Sequence, residues 1–339
     1  MITNPEFKIS LPELQIVLNK FDDEINISYP PISDIHFLKA IPSENGYDLK
    51  INKKGLEFNT KLPNEIKKEI PDITDLRECL LASKCLIYPN LNKFEDKYIN
   101  HYQEMNRKVF ISPDSNILYH KYISNSNIKF DKIIIAATVQ HEITTALNYK
   151  YNRKLIDDLK SSFDSYKYYF DELFNRKNKK SRKAAYLALS EFNTINKIIT
   201  EQILPNNLTN INYEQYDNYI IRELKDYEIK SQTLILFLTS DNAITDICKA
   251  YNLEYFLFEL PEISNIPNCS YQNFINLIFN LSTVFGFIKL NSVIIFGEFS
   301  KKINPFELKI KLLNVTIKDE LEKDLIICKK LINTLHFDF

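Results

Sequence analysis

KVFISPDSNILYH, running from Lys108 to His120, decides how the rest of the chain is read. The residues VFIS have the length and composition of a short buried strand. The run then breaks at Pro113-Asp114-Ser115-Asn116, which places an acid, a hydroxyl and an amide where a strand hands over to a helix. Taken alone, such a cluster is a turn or a helix N-cap. At the carboxyl end of a strand in an open α/β sheet, it also stands where ligands collect.

The same alternation extends downstream. FDKIIIAAT predicts a second strand, leading through Thr138 into a helix over HEITTALNYKYN, and TLILFLTS predicts a third, followed by a helix from near Asp241 and a last strand, EYFLFEL. Between them, Lys154 to Leu204 reads as two or three helices broken at NRKNKKSRK, and Tyr213 to Lys230 as one more. Strands alternating with helices predict an α/β fold with a mainly parallel sheet and helices on both faces.

The flanks predict smaller α+β modules, giving three segments: 1–107, 108–260 and 261–339. In the first, YDLKINKKGLEF suggests a hairpin closing near Gly55, Pro63 to Leu91 is mostly helical, and Asn92 to Arg107 forms a polar linker. In the last, NFINLIFNLSTVFGFIKLNSVIIF is long and apolar, but Asn276, Asn280, Lys289 and Asn291 interrupt it. A buried helix followed by a hairpin around Asn291-Ser292 explains it better than a membrane span. FELKIKLL then puts Phe306, Leu308, Ile310 and Leu312 on one face of a strand. A final helix, capped by Thr316, carries the stripe Leu321, Leu325, Cys328, Leu331, Ile332 and Leu335.

Composition excludes several classes of function. Only Gly46, Gly55, Gly286 and Gly297 occur, none spaced to cradle phosphate, so P-loop and dinucleotide-binding readings fall away. The five cysteines are scattered without CxxC spacing, which argues against a zinc site and a disulfide framework and fits a reducing cytoplasm. MITNPEFKIS has no basic-then-apolar signal segment, and no membrane association is expected. Forty-three basic against 44 acidic residues leave almost no net charge, so nucleic-acid affinity would need a local patch.

Four acids stand at or near predicted strand ends or helix starts: Asp114 after VFIS, Glu142 in the first turn after IIIAAT, Asp217 at the start of DNYIIREL, and Asp241 after LILFLTS. Converging carboxylates repel unless cations neutralise them, and hard divalent ions prefer oxygen ligands. Mg²⁺ or Mn²⁺ so bound could orient a water and clamp phosphate, which is the chemistry of phosphodiester hydrolysis.

In residue type and order these motifs resemble the PIN domain, a metal-dependent nuclease family that includes toxin ribonucleases. VFISPDSNILYH resembles its opening strand with an Asp-Thr-Asn motif, IIIAATVQHEI its second motif, DNYII its Asp-x-x-Ile, and FLTSDNAITDICKAYNLEYFLF its closing Thr-x-Asp segment. Ser115 stands where threonine is usual, and the interval from Asp217 to Asp241 is long, with Asp226 as competitor for the third position. The resemblance covers roughly 108–260. It implies an endoribonuclease whose metal and catalytic ligands are Asp114, Glu142, Asp217 and Asp241, with Ser115, Asn116 and Thr239 supporting the site. A catalytically inactive scaffold binding nucleic acid or protein is the alternative. A DNA-structure nuclease is disfavoured by the lack of a glycine-rich helical hairpin.

Arg176, Lys177, Lys179, Lys180, Arg182 and Lys183 form the densest basic run, with Tyr166, Tyr168, Tyr169 and Tyr186 near it in sequence. These residues could track phosphates and stack on unpaired bases, or form a solvated turn between helices. The expected partner is RNA, with single-stranded DNA as an option. The flanks leave room for a homodimer or a regulatory protein. His120 and His141 read as structural or exposed, because metal-bound water needs no histidine to become a nucleophile.

Overall fold

The structure is a computed structural model that describes residues 5–21, 23–57, 62–97, 108–126, 128, 133–176, 185–196, 216–297, 307–314 and 317–335. Its strands are β1 (Glu6–Ser10), β2 (Ile25–Ser28), β3 (Leu38–Ser43), β4 (Gly46–Ile51), β5 (Val109–Pro113), β6 (Leu234–Thr239), β7 (Glu254–Leu257), β8 (Ile266–Ser270), β9 (Phe287–Leu290), β10 (Val293–Gly297) and β11 (Glu307–Leu312). Two compact units emerge, one from 1–79, 150–183 and 263–339 and the other from 80–149 and 184–262.

The first unit overturns the expected fold class. Its eight strands run in the order β1-β11-β10-β9-β2-β3-β4-β8, and every neighbouring pair is antiparallel. The larger sheet is therefore antiparallel, and among the described residues the parallel sheet has three strands. The expectation of a mainly parallel sheet flanked by small modules failed because alternation fixes which face a residue occupies, whereas pairing is set by partners far away in sequence. The first and last parts of the chain supply strands to one sheet, and Asn291 Oδ1 accepts the Asn26 N–H at 2.9 Å across 265 positions.

The two faces of this sheet can be read from β10 and β11. Ile295 is opposite Ile310 and Gly297 opposite Leu308, and an added Cβ at Gly297 would lie 2.7 Å from the Ser282 carbonyl oxygen. That face packs on the Tyr271–Phe285 helix, which is buried from Phe274 and Ile275 through Leu277–Phe285. On the opposite face, the Tyr169 ring lies 5.5 Å from Phe287 and 6.1 Å from Phe296. Lys309 and Lys311 share that face, each donating to Glu172 Oε1 at 3.1 Å. Over Glu307–Leu312 the chain thus alternates because Leu308, Ile310 and Leu312 are buried on one face and Lys309 and Lys311 meet a carboxylate on the Lys167–Arg176 helix on the other. Tyr169 is consequently half-buried, packed on this face of the sheet.

The terminal hairpin follows expectation: β9 and β10 pair antiparallel through Asn291-Ser292, and Asn291 has φ 45°. Left-handed backbone suits asparagine at a two-residue turn. Its amide does more, donating to the Glu24 carbonyl at 2.8 Å as well as accepting from Asn26. The first-module hairpin lies one strand earlier than expected, joining β3 to β4, and the segment ending at Gly55 is a 3-10 turn over Lys53–Leu56. Phe306, Thr316 and residues 98–107 of the expected linker lie outside the described residues, whereas Leu91–Lys97 at its start is helical.

In the second unit, β6 is the central strand, with β5 and β7 parallel to it on its two sides. FDKIIIAAT does not form the expected strand among the described residues. Ile133 makes one parallel bridge to Ile111, and helix begins at Ala137. The core is continuous from Phe110 and Ile111 through Ile220, Leu224, Phe237 and Phe258.

Asn291→Gly keeps the left-handed turn and removes both amide bonds, whereas Asn291→Ala also strains the backbone. Urea unfolding should rank wild type above Gly and Gly above Ala, with Ala losing roughly 1–3 kcal/mol.

Candidate functional site

β5 and β6 end level with one another, because Pro113 is paired with Leu238, and the Asp114 N–H donates to the Leu238 carbonyl at 2.8 Å. This register sets Asp114 opposite Thr239. The Thr239 hydroxyl donates to Asp114 Oδ2 at 2.8 Å, and both residues are buried. Asn116 Nδ2 donates to the same oxygen at 2.8 Å, and the Ser115 N–H donates to Oδ1 at 2.7 Å. Asn116 also accepts from the Ser240 N–H at 3.3 Å, and the Asp241 N–H donates to Thr239 Oγ1 at 3.0 Å. The first and fourth motifs, 125 residues apart, therefore form one hydrogen-bonded cluster.

Asp114 and Asp241 are both helix N-caps, the bland reading of each motif. Asp114 precedes the Ser115–Tyr119 helix, and Asp241 Oδ1 accepts from the Ala243 N–H at 2.8 Å at the head of Asn242–Ala250. Burial separates them: Asp241 is exposed, whereas Asp114 is only 5 % exposed. A cap needs no such burial, so Asp114 carries a desolvation cost that capping alone does not explain.

Glu142 and Asp217 lie close enough to act on that charge. Burial pushes the Asp114 carboxyl up to about 7 against the pull of the Thr239 and Ser115 hydrogen bonds, and the charges of Glu142 and Asp217 push in the same direction. Asp217, half-buried in the first turn of Tyr216–Ser231, is raised by burial and then by Asp241. The Cys248 thiol is pushed up to about 12 by burial and then by Asp114. All four acids thus share one electrostatic neighbourhood. Asp226 is exposed, nine residues along the same helix from Asp217 and so on its opposite side. Glu142 sits in the second turn of Ala137–Ala146, one turn later than expected.

Glu223 has a role that sequence reasoning missed. Its Oε1 accepts from the Ala137 N–H at 2.9 Å, and its Oε2 from the Thr138 N–H at 3.1 Å and the Thr138 hydroxyl at 2.9 Å. It therefore caps the helix that carries Glu142 from the helix that carries Asp217, and so fixes the two acids relative to each other. No local signal marks a cap 85 residues from its helix.

Among the described residues, no three His, Cys, Asp or Glu side chains are gathered into a group able to hold a metal ion. The donor set nonetheless consists of carboxylates, which selects hard cations. Mg²⁺ characteristically takes one or two carboxylates and keeps several waters rather than entering a closed protein cage. The chemistry of the donors suits an ion of that kind, whereas their spacing does not gather three of them around one point.

Other expected residues are placed as follows. His120, read as structural or exposed, is buried, with Nδ1 2.7 Å from the Tyr88 hydroxyl. Arg176 ends the Lys167–Arg176 helix, whereas Lys177, Lys179, Lys180, Arg182 and Lys183 lie outside the described residues. Tyr168 is 64 % exposed, and Tyr166 donates to Asp34 Oδ1 at 2.9 Å. No helix among the described residues is long and apolar enough to cross a membrane. No protein-family model matches the chain, and no curated protein matches it in sequence.

The raised Asp114 value has a definite sign. Between pH 4 and 7 the folded carboxyl holds a proton that the unfolded chain has released, so this contribution to stability is lost as pH rises through about 7. In the absence of divalent cations, the stability of wild type relative to Asp114→Asn should be greater at pH 5 than at pH 8, by on the order of 3 kcal/mol. Urea unfolding of both proteins at the two pH values reads that difference directly.

Proposed function

We propose that the unit built on Asp114 is a divalent-cation-dependent nuclease centre that hydrolyses phosphodiester bonds, acting as an endoribonuclease. The observation that carries this reading is Asp114, a 5 % exposed carboxylate at the end of a parallel strand, clamped by Thr239, Asn116 and Ser115 in the field of Glu142 and Asp217. A buried negative charge with hydrogen bonds but other carboxylates rather than a cation beside it weakens the empty protein, and a cation relieves it. The order of the four motifs, as in the PIN domain, supports the same activity.

Asp114, Glu142, Asp217 and Asp241 would hold Mg²⁺ or Mn²⁺, which when bound lowers the pKa of water and neutralises charge on a phosphoryl group. Thr239 and Ser115 hold the Asp114 carboxylate in one rotamer, so its oxygens need no reorganisation when a cation arrives. Glu223 holds the Glu142 helix in register with the Asp217 helix. Asn116 ties the Asp114 turn to Ser240, so the two strand ends move as one body.

One observation favours a second reading. Asp114 and Asp241 are already engaged as caps, and no three of the acids are gathered closely, so the same residues would also serve a non-catalytic scaffold that binds nucleic acid or protein.

Incubation with a panel of single-stranded and structured RNAs decides between the two. Wild type with Mn²⁺ or Mg²⁺ should cleave, chelation should stop it, and Asp114→Asn should lower the rate by roughly 100-fold or more while retaining native circular dichroism. Folded wild type that leaves every RNA intact in both ions would favour the scaffold.

A further inference from the structure

The unit that carries Asp114 also holds a cavity away from its acids. It measures about 360 Å³ with its open mouth included, and no acid among the described residues lines it. Its floor is aromatic: Tyr88 and Tyr122 are both buried, the Tyr88 ring stacks on Phe258 at 4.3 Å, and the Tyr88 hydroxyl lies 2.7 Å from His120 Nδ1. Leu81, Leu86 and Leu91 add aliphatic wall, and Ile87, 59 % exposed, stands open at the mouth. Because the floor rings are already packed and hydrogen-bonded, the cavity is preformed, the usual state of a small-molecule site.

The ammonium at this cavity comes from Lys84, at a backbone position that would suit glycine better. The helix that ends at Ala82 closes with the Cys85 N–H on the Leu80 carbonyl and the Lys84 N–H on the Leu81 carbonyl, both at 3.0 Å. That closure needs left-handed backbone, which glycine adopts without cost, yet Lys84 holds it with φ 61°. The side chain runs to the cavity, where Nζ donates to the Asn125 carbonyl at 3.2 Å. A mere packing void would be sealed, and it would gain nothing from a lysine in a conformation that favours glycine. A partner protein's side chain would fill the apolar part but bring a neutral backbone, not an anion, to Lys84. We propose that the cavity binds a small apolar carboxylic acid, its hydrocarbon part against Tyr88, Tyr122 and the leucines and its carboxylate on Lys84. Binding there needs neither a cation nor RNA. Its floor nevertheless belongs to the same element as the acidic turn, since His120 is the C-cap of the Ser115–Tyr119 helix that Asp114 begins.

Titration of the full chain with 4-fluorophenylacetate, followed by fluorine NMR in the presence of a chelator, tests the site. Saturable one-to-one binding is expected, with a dissociation constant on the order of 0.1–1 mM for so small a ligand, and 4-methylpentanoate should displace it. The neutral 4-fluorophenylacetamide, which keeps the ring and loses the charge, should bind roughly tenfold more weakly. Lys84→Gly should keep or raise the melting temperature while lowering acid affinity to that of the amide, because it relieves the backbone and removes the ammonium. Ile87→Ala, at an exposed position, should weaken acid and amide alike by roughly threefold or more. No saturable binding of either acid up to about 10 mM, or acid affinity unchanged in both variants, would overturn the site. Tighter binding of N-acetyl-leucinamide than of 4-fluorophenylacetate would also overturn it, assigning the cavity to a partner protein's side chain.

Discussion

A single hydrogen bond, from the Thr239 hydroxyl to the buried Asp114 carboxylate, holds the smaller unit's chemistry together. It exists because β5 and β6 run parallel in a register that ends both strands at the same level. The bond stabilises the ionised carboxylate, yet burial and the charges of Glu142 and Asp217 outweigh it, leaving the group poised near neutrality. A carboxylate in that state is costly to keep at physiological pH unless something positive sits beside it. The rest of the site supports that condition: Asn116 ties the two strand ends together, and Glu223 fixes the helices that bring the other acids within range.

The meeting of the first and fourth motifs was legible in the sequence because their signals are local. VFISPDSN and FLTSDN each combine an apolar run with a polar stop, and the structure joins them through Asp114, Asn116, Thr239 and Ser240. Asp217 and Asp226 were separable only in three dimensions, where helical phase puts one inward and the other in solvent. The Glu223 cap and the His141–Tyr216 hydrogen bond were invisible because each joins segments 75 or more residues apart. No periodicity records such a meeting.

The large sheet was less legible for the same reason. VIIFG in β10 is buried at every position, and its hairpin with β9 was legible whereas its other neighbour, β11, and the strands beyond were not. It is buried because one helix lies on each of its faces, and both its neighbours are antiparallel. The helices of 150–176 follow the second motif in sequence but fold with the antiparallel unit, where Glu172 takes two lysines and the Tyr169 ring packs on Phe287. Contiguity in sequence suggested one parallel layer, and the long-range pairing of β1–β4 with β8–β11 overrode it.

Thermal unfolding at pH 7.5 with increasing Mn²⁺ tests the central claim most directly, because it asks whether the strained carboxylate is there for a cation. A saturable rise in melting temperature is expected for wild type, equivalent to about 2.7 kcal/mol at 100 times the dissociation constant, and none for Asp114→Asn. A wild-type protein indifferent to Mn²⁺, or an Asp114→Asn variant stabilised to the same degree, would contradict the account.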